Sequence, residues 1–269
     1  MELLQEAAHI LGRIKDKRPL VHQITNFVTA NDCANVTLAI GASPVMTIDP
    51  GEVAEMVSYA GALVLNIGTL TPRTVEAMVI AGRRAAELGI PIILDPVGAG
   101  ATRQRTEAAQ RLMVELPLTV VRGNLSEIKV LAGSNEGIKG VDSTAAAAGA
   151  AEVAQTLSAR LDAVIAVTGP VDIIAHQNEL CHIHNGHPLL ASVTGTGCMS
   201  TALVGCCAAV GRPFAAAVCG IAVMGIAGEV AHRLLRADVG EGLGSYRVRL
   251  IDAISAMNAE RMTECGQFA

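Results

Sequence analysis

Residues 62–97 read ALVLNIGTLTPRTVEAMVIAGRRAAELGIPIILDPV. Ala62–Ile67 is a short apolar run of strand length. Thr71 followed by Pro72 is a helix start, a cap with proline at the first helical position. Ile90–Val97 is a second apolar, β-branched run. Strand, helix and strand in so few residues form a unit that builds a parallel sheet.

The same alternation extends in both directions. Further strands are expected at Leu20–Thr25, Pro44–Thr47, Leu118–Arg122 and Ala163–Thr168. Asp49, Pro50 and Glu52 spell a capped helix start, Ser126 opens another helix, and Thr144–Ser158 is a further one. After Thr168 the pattern changes, and Asp172–His176 with Glu179–His184 reads as a hairpin. The remainder is expected to be helical. The expectation is an α/β fold with a mostly parallel central sheet, helices on both faces and antiparallel strands at one end. No linker or repeat interrupts it, so residues 1–269 are expected to form one domain.

Composition agrees. Hydrophobic residues make up 51% of the chain, charged ones 17% and aromatics 2%, so aliphatic side chains must fill the core. A net charge of −5 with no basic run gives nucleic acid nothing to bind. Seven cysteines, an odd count without a C-x-x-C pair, argue against disulfides and zinc ribbons. The first residues carry no basic start or apolar core, so a reducing cytoplasmic setting is expected. Cys198–Gly228 is nearly uncharged but broken at Gly211-Arg212-Pro213. Its longer piece, Phe214–Gly228, falls short of the ~20 residues a membrane helix needs, so two buried helices and no membrane are expected.

Ligands of open α/β sheets bind beyond the carboxyl ends of the strands. Asn26, Asn66, Gly68, Asp95, Arg122, Asn124, Glu127, Thr168 and Gly169 all fall at such ends. Val193-Thr194-Gly195-Thr196-Gly197-Cys198-Met199-Ser200 is a glycine-rich turn entering an apolar helix. Free N–H groups and the helix dipole make such a start an anion site; the plainer alternative is an ordinary helix start capped by Thr196. Cys198 lies in the first turn, where the dipole should lower its thiol pKa; it is read as nucleophile, weak base or buried filler. Asp95 and Glu127 suit Mg²⁺, directly or through water, although a turn aspartate and a first-turn helix charge are equally ordinary. Arg122 suits phosphate oxygens. Cys181, His182, His184 and His187 invite a metal reading, but exposed hairpin side chains explain them more simply.

Taken together, these motifs resemble those of ribokinase-like kinases: Gly195-Thr196-Gly197-Cys198 their anion hole, Arg122-Gly123-Asn124-Leu125-Ser126-Glu127 their Asn-x-x-Glu motif, and Asp95-Pro96-Val97-Gly98-Ala99-Gly100 their Asp-Pro strand end. His22–Asn31 and Ala42-Ser43-Pro44-Val45-Met46 resemble the hydroxyethylthiazole kinase family in particular. The resemblance implies a ribokinase-like fold without a lid and ATP- and Mg²⁺-dependent phosphorylation of hydroxyethylthiazole in thiamin biosynthesis or salvage. It further implies a homotrimer with sites between subunits. By the same match Asn26, Val28, Met46 and Gly195 line the thiazole pocket. Arg122, Thr168, Asn124 and Gly195 serve ATP, Asp95 and Glu127 serve Mg²⁺, and Gly195, Thr196, Gly197 and Cys198 form the catalytic anion hole. Sugar kinases of this fold carry Asp, their general base, where this chain has Cys198. Other activities compatible with these motifs are a pyrimidine-alcohol kinase, a nucleotide-dependent NAD(P)H-hydrate dehydratase, a cysteine hydrolase and a non-catalytic nucleotide binder.

Overall fold

The computed structural model of the chain describes residues 2–133, 143–236 and 239–269. The elements run α1 (Glu2–Lys17), β1 (Leu20–Ile24), α2 (Ala30–Ile40), β2 (Ser43–Val45), α3 (Val53–Val57), β3 (Ala62–Asn66), α4 (Pro72–Glu87), β4 (Ile92–Asp95) and α5 (Arg103–Glu115). They continue with β5 (Val120–Asn124), α6 (Leu125–Ala132), α7 (Ser143–Leu161), β6 (Val164–Thr168), β7 (Asp172–His176) and β8 (Glu179–Ile183). A 3₁₀ turn (Pro188–Ser192) then leads into α8 (Thr196–Ala208), α9 (Pro213–Arg233), α10 (Leu243–Ser255) and α11 (Ala259–Cys265).

All eight strands form one sheet in the order β2-β1-β3-β4-β5-β6-β7-β8. Pairing is parallel from β2 to β6 and antiparallel in β6–β7 and β7–β8. The order reverses between β1 and β3, so the crevice that opens at such a switch lies beyond Ile24 and Asn66.

Successive strand residues point to opposite faces, and both faces are covered. Val64, Ile93 and Val120 join one buried cluster with α1, α2, α8, α9, α10 and α11. Leu63, Leu65, Ile92, Leu94 and Val121 join another with α3 to α7. That is why the central strands β3 and β4 read as apolar runs up to their last residue, while β1 carries the buried polar pair His22 and Gln23.

Local signals held in part. Thr71 caps α4 as expected, in a reciprocal pair with Thr74. The Asp49–Pro50–Glu52 start is corrected: Asp49 closes a turn by accepting from Gly51 N at 2.9 Å, and α3 begins at Val53 with no side-chain cap. Ser126 does not open α6; Asn124 caps it and Leu125 is its first residue. The length argument on residues 214–228 is also corrected. α9 has 21 residues and is long and apolar enough to cross a membrane, yet 89% of its apolar window is buried in this fold. After α11 the chain is not helical: Phe268 bridges Ile183, so residues 267–269 lie along β8.

Candidate active site at the strand ends

β1, β3 and β4 deliver Asn26, Asn66 and Asp95 to one point, and each is at most 4% exposed. Asn26 Nδ2 donates to Asn66 Oδ1 at 2.9 Å, and Asn66 Nδ2 donates to Asp95 Oδ2 at 2.8 Å. Thr201, one turn into α8, donates to the same Asp95 oxygen at 2.8 Å. Asn26 Oδ1 accepts from the backbone and hydroxyl of Thr29, both at 3.1 Å. Buried polar groups need partners, and this chain of bonds supplies them. One atom is left over: Asp95 Oδ1 is buried without a hydrogen-bond partner, 4.0 Å from Arg122 Nη1.

α8 starts against this cluster. Gly195, its N-cap, has φ +86°, and a Cβ there would fall 2.6 Å from Thr29 Cγ2. A Cβ on Gly197 would fall 2.7 Å from Arg122 Nη1. Gly195 is therefore required by its backbone angle and by the close approach of Thr29, whereas a Cβ at Gly197 would have to displace only the movable end of Arg122. No side chain caps the helix, and Thr196 instead donates to the Leu190 carbonyl at 2.9 Å. Its first-turn N–H groups thus remain for a ligand.

Cys198 Sγ accepts from Asn66 Nδ2 at 3.2 Å and from Asn26 Nδ2 at 3.3 Å. The expected lowering of its pKa is overturned. Burial and the neighbouring Asp95 push the thiol up, beyond what the Asn and Thr29 hydrogen bonds recover. Burial also pushes the Asp95 carboxyl up to about 6, against the pull of Arg122.

On the other side of the α8 start lies a cavity of about 560 Å³ lined by Arg122, Thr168, Gly197, Ser200, Asn185 and His187 among others. Arg122 Nη2 donates to Thr168 Oγ1 at 2.7 Å, so β5 and β6 hold the guanidinium in its wall. Asp172 also lines it, with burial pushing its carboxyl up to about 6 while Gly169 N–H donates to it at 2.9 Å.

The remaining expected residues divide. Glu127 Oε1 accepts from Gly98 N at 2.8 Å and Oε2 from Asn124 N at 2.9 Å, so both oxygens hold backbone. The Asn124 side chain accepts from Glu127 N at 2.9 Å and acts as a helix cap. Val28 is 57% exposed, and Met46 is half-buried against the same core cluster as Cys198. The Cys181, His182, His184 and His187 group is not assembled: Cys181 is buried, His184 exposed, and His187 stacks on His232 at 3.8 Å. Among the described residues no group of three such side chains could hold a metal.

The sequence reading missed Thr201, Asp172, Asn185 and Arg105. Thr201 stands three residues after Cys198, one helical turn, which is a usable signal. Arg105 had none; it donates to the carbonyls of Ile67, Val97 and Gly68 at 3.1, 2.8 and 2.7 Å and ties the β3 and β4 exits together.

Known proteins resemble this chain in sequence and fold. The profile of the Hydroxyethylthiazole kinase family matches residues 11–260. A hydroxyethylthiazole kinase of Alkaliphilus oremlandii is 50% identical over 99% of this chain and 98% of its own. The hydroxyethylthiazole kinase structure from Pyrococcus horikoshii superposes with a TM-score of 0.89 at 37% identity, covering 98% of both chains. A ribokinase-like superfamily protein of Enterococcus faecalis shares the fold, with a TM-score of 0.66 at 12% identity over 94% of this chain and 95% of its own. The chain belongs to the hydroxyethylthiazole kinase family.

Proposed function

We propose that residues 1–269, acting as one kinase domain, transfer the γ-phosphoryl group of ATP to the hydroxyl of 4-methyl-5-(2-hydroxyethyl)thiazole. Family membership supports the substrate and the reaction. The observation that carries the site assignment is the uncapped, glycine-framed start of α8, which stands between the 560 Å³ cavity and the Asn26–Asn66–Asp95–Cys198 cluster. ATP fits the cavity side, with Arg122 and Thr168 toward its phosphates. The acceptor alcohol fits the cluster side, near Asn26, Gly195, Val28 and Met46. Gly195 to Cys198 present N–H groups where charge builds on the phosphoryl group, and such fixed dipoles carry most of the catalysis in a loose transition state.

The carboxylates suit Mg²⁺. Asp95 offers the unpartnered Oδ1 and would hold the ion directly or through water, whereas Glu127, its oxygens engaged, would act through water and by charge. Mg²⁺ would neutralise charge on the phosphates. Cys198, its pKa raised, is a weak base that positions the hydroxyl more than it deprotonates it. Phe27 and Val28, 82% and 57% exposed beside Asn26, support a site completed by a neighbouring copy in a homotrimer. The substrate supports a role in thiamin supply.

The test is ADP release from ATP and Mg²⁺ with and without hydroxyethylthiazole, with the product weighed by mass spectrometry. Thiazole-dependent ADP and a monophosphorylated thiazole support the proposal. Folded protein that shows no stimulation overturns it, and pyrimidine alcohols become the next substrates to try.

A further inference from the structure

One wall of the cavity is built just past the carboxyl end of β8 (Glu179–Ile183). It is the segment Asn185-Gly186-His187, and Asn185 is 3% exposed there. Asn185 Nδ2 donates to Glu229 Oε1 at 3.1 Å and to the Cys265 carbonyl at 2.9 Å. Its Oδ1 accepts from Gln267 N at 2.8 Å. Glu229 Oε1 also accepts from Gly186 N at 2.9 Å. A single buried amide therefore joins the cavity wall, helix α9 and the segment after α11.

That segment is itself fastened to the sheet. His182 N donates to Ala269 O at 2.7 Å, Ala269 N to His182 O at 2.9 Å, and His184 N to Gln267 O at 2.9 Å. The underside is tight, since a Cβ on Gly225 of α9 would fall 2.6 Å from the Asn185 carbonyl oxygen. His187, stacked on His232 in the last turn of α9, fixes the far end of the wall.

We propose that Asn185 is a positioning residue for the nucleotide, and that residues 267–269 act through it as a clamp on the cavity wall. The inference rests on the reading above that ATP occupies this cavity. Binding to a pre-formed wall costs less ordering than binding to a loose one, so loosening the clamp weakens the nucleotide and spares the acceptor site across α8.

Four variants test it: Asn185→Ala, a chain ending at Gly266, Glu229→Ala and Glu229→Gln. ATP and hydroxyethylthiazole are varied separately in steady state, and a non-hydrolysable ATP analogue is titrated by calorimetry. Asn185→Ala, Glu229→Ala and the shortened chain are expected to raise the KM for ATP and the Kd of the analogue about tenfold, the scale of a broken buried hydrogen-bond cluster. The KM for the thiazole and kcat stay within about twofold, because the acceptor side is untouched. Glu229→Gln keeps the acceptor oxygen and behaves as the parent protein. If the parent binds the analogue and the shortened chain and Asn185→Ala bind it equally well, the clamp is wrong and the cavity assignment stands. Equal losses for both substrates and kcat also overturn it, as a general loss of structure. If the parent protein itself fails to bind the analogue, the cavity assignment and the clamp fall together.

Discussion

Asn66 gives one amide group to two neighbours, donating to Asp95 Oδ2 at 2.8 Å and to Cys198 Sγ at 3.2 Å. Thiol and carboxylate are thereby held side by side, and ionising one is opposed by the other. Near neutral pH the thiol stays protonated and is a poor base.

Cys198→Asp is accordingly expected to raise kcat by about three- to tenfold, less than a full general-base effect because the loose transition state needs little early deprotonation. Cys198→Ala should cost only a small factor. Turnover at saturating substrates, with circular dichroism to confirm folding, reads both; a lower kcat in folded Cys198→Asp would end the weak-base account.

Gly197→Ala should act on ATP alone. Its Cβ would fall 2.7 Å from Arg122 Nη1, the movable end of a side chain, so the fold survives while the guanidinium is displaced from Thr168. A rise in the KM for ATP of about tenfold or more is expected. Gly195→Ala differs, because φ +86° and the 2.6 Å approach to Thr29 add backbone strain. It should also lower the midpoint of thermal unfolding, by about 1–2 kcal/mol of stability.

The strand ends were legible in the sequence for a physical reason. A parallel sheet buried on both faces is mostly apolar, so polar residues such as Asn66 and Asp95 mark where strands stop, whereas His22 and Gln23 lie buried within β1 and Arg122 stands two residues before the end of β5. Glu127 was read as a Mg²⁺ ligand from its place in the motif, but whether its oxygens face an ion or the N–H groups of Gly98 and Asn124 depends on a loop 29 residues away. Asn185 and Arg105 left no local trace, since their partners come from distant segments. The Asp49 start failed for a related reason: a turn and a helix cap use the same side chain, and only tertiary packing chooses between them.

Asp95 should trade stability for activity. Its carboxyl, pushed to about 6, is protonated in folded and unfolded chains alike at low pH and costs nothing there. As pH rises from about 4 through 6, the folded protein must bury a charge, and stability falls by up to about 3 kcal/mol. Asp95→Asn removes that cost and can keep its oxygen toward Asn66 and Thr201, with its amide where Oδ1 had no partner. In metal-free buffer at pH 7.5 the variant is expected to melt a few degrees higher, a gain that vanishes near pH 4. Its kcat should drop by about a hundredfold or more, as expected when a group serving the phosphoryl charge is lost.

Asn124 separates a cap from a ligand. Its side chain accepts from Glu127 N at 2.9 Å. Asn124→Ala should cost about 1 kcal/mol, and Asn124→Asp, which still caps, very little. Denaturant unfolding measures this, and a KM for ATP that follows the loss of the cap locates the effect in α6.

Phe27 and Val28 predict assembly. Sedimentation should give a trimer, and Phe27→Glu, which places a charge on an 82% exposed aromatic position, should yield smaller species with little activity. A fully active monomer would remove the shared-site arrangement.

The two faces of the sheet acquire their cover at different times. Helices α3 to α7 each lie between the strands they protect and can settle as those strands are synthesised. The opposite face depends on α8 and α9, which follow every strand in the chain. A nascent chain that has reached Ile183 has therefore made the whole sheet while Val64, Ile93, Val120 and Ile174 still lack their cover. Ribosomal pausing before Arg233 would prolong that exposure of apolar surface.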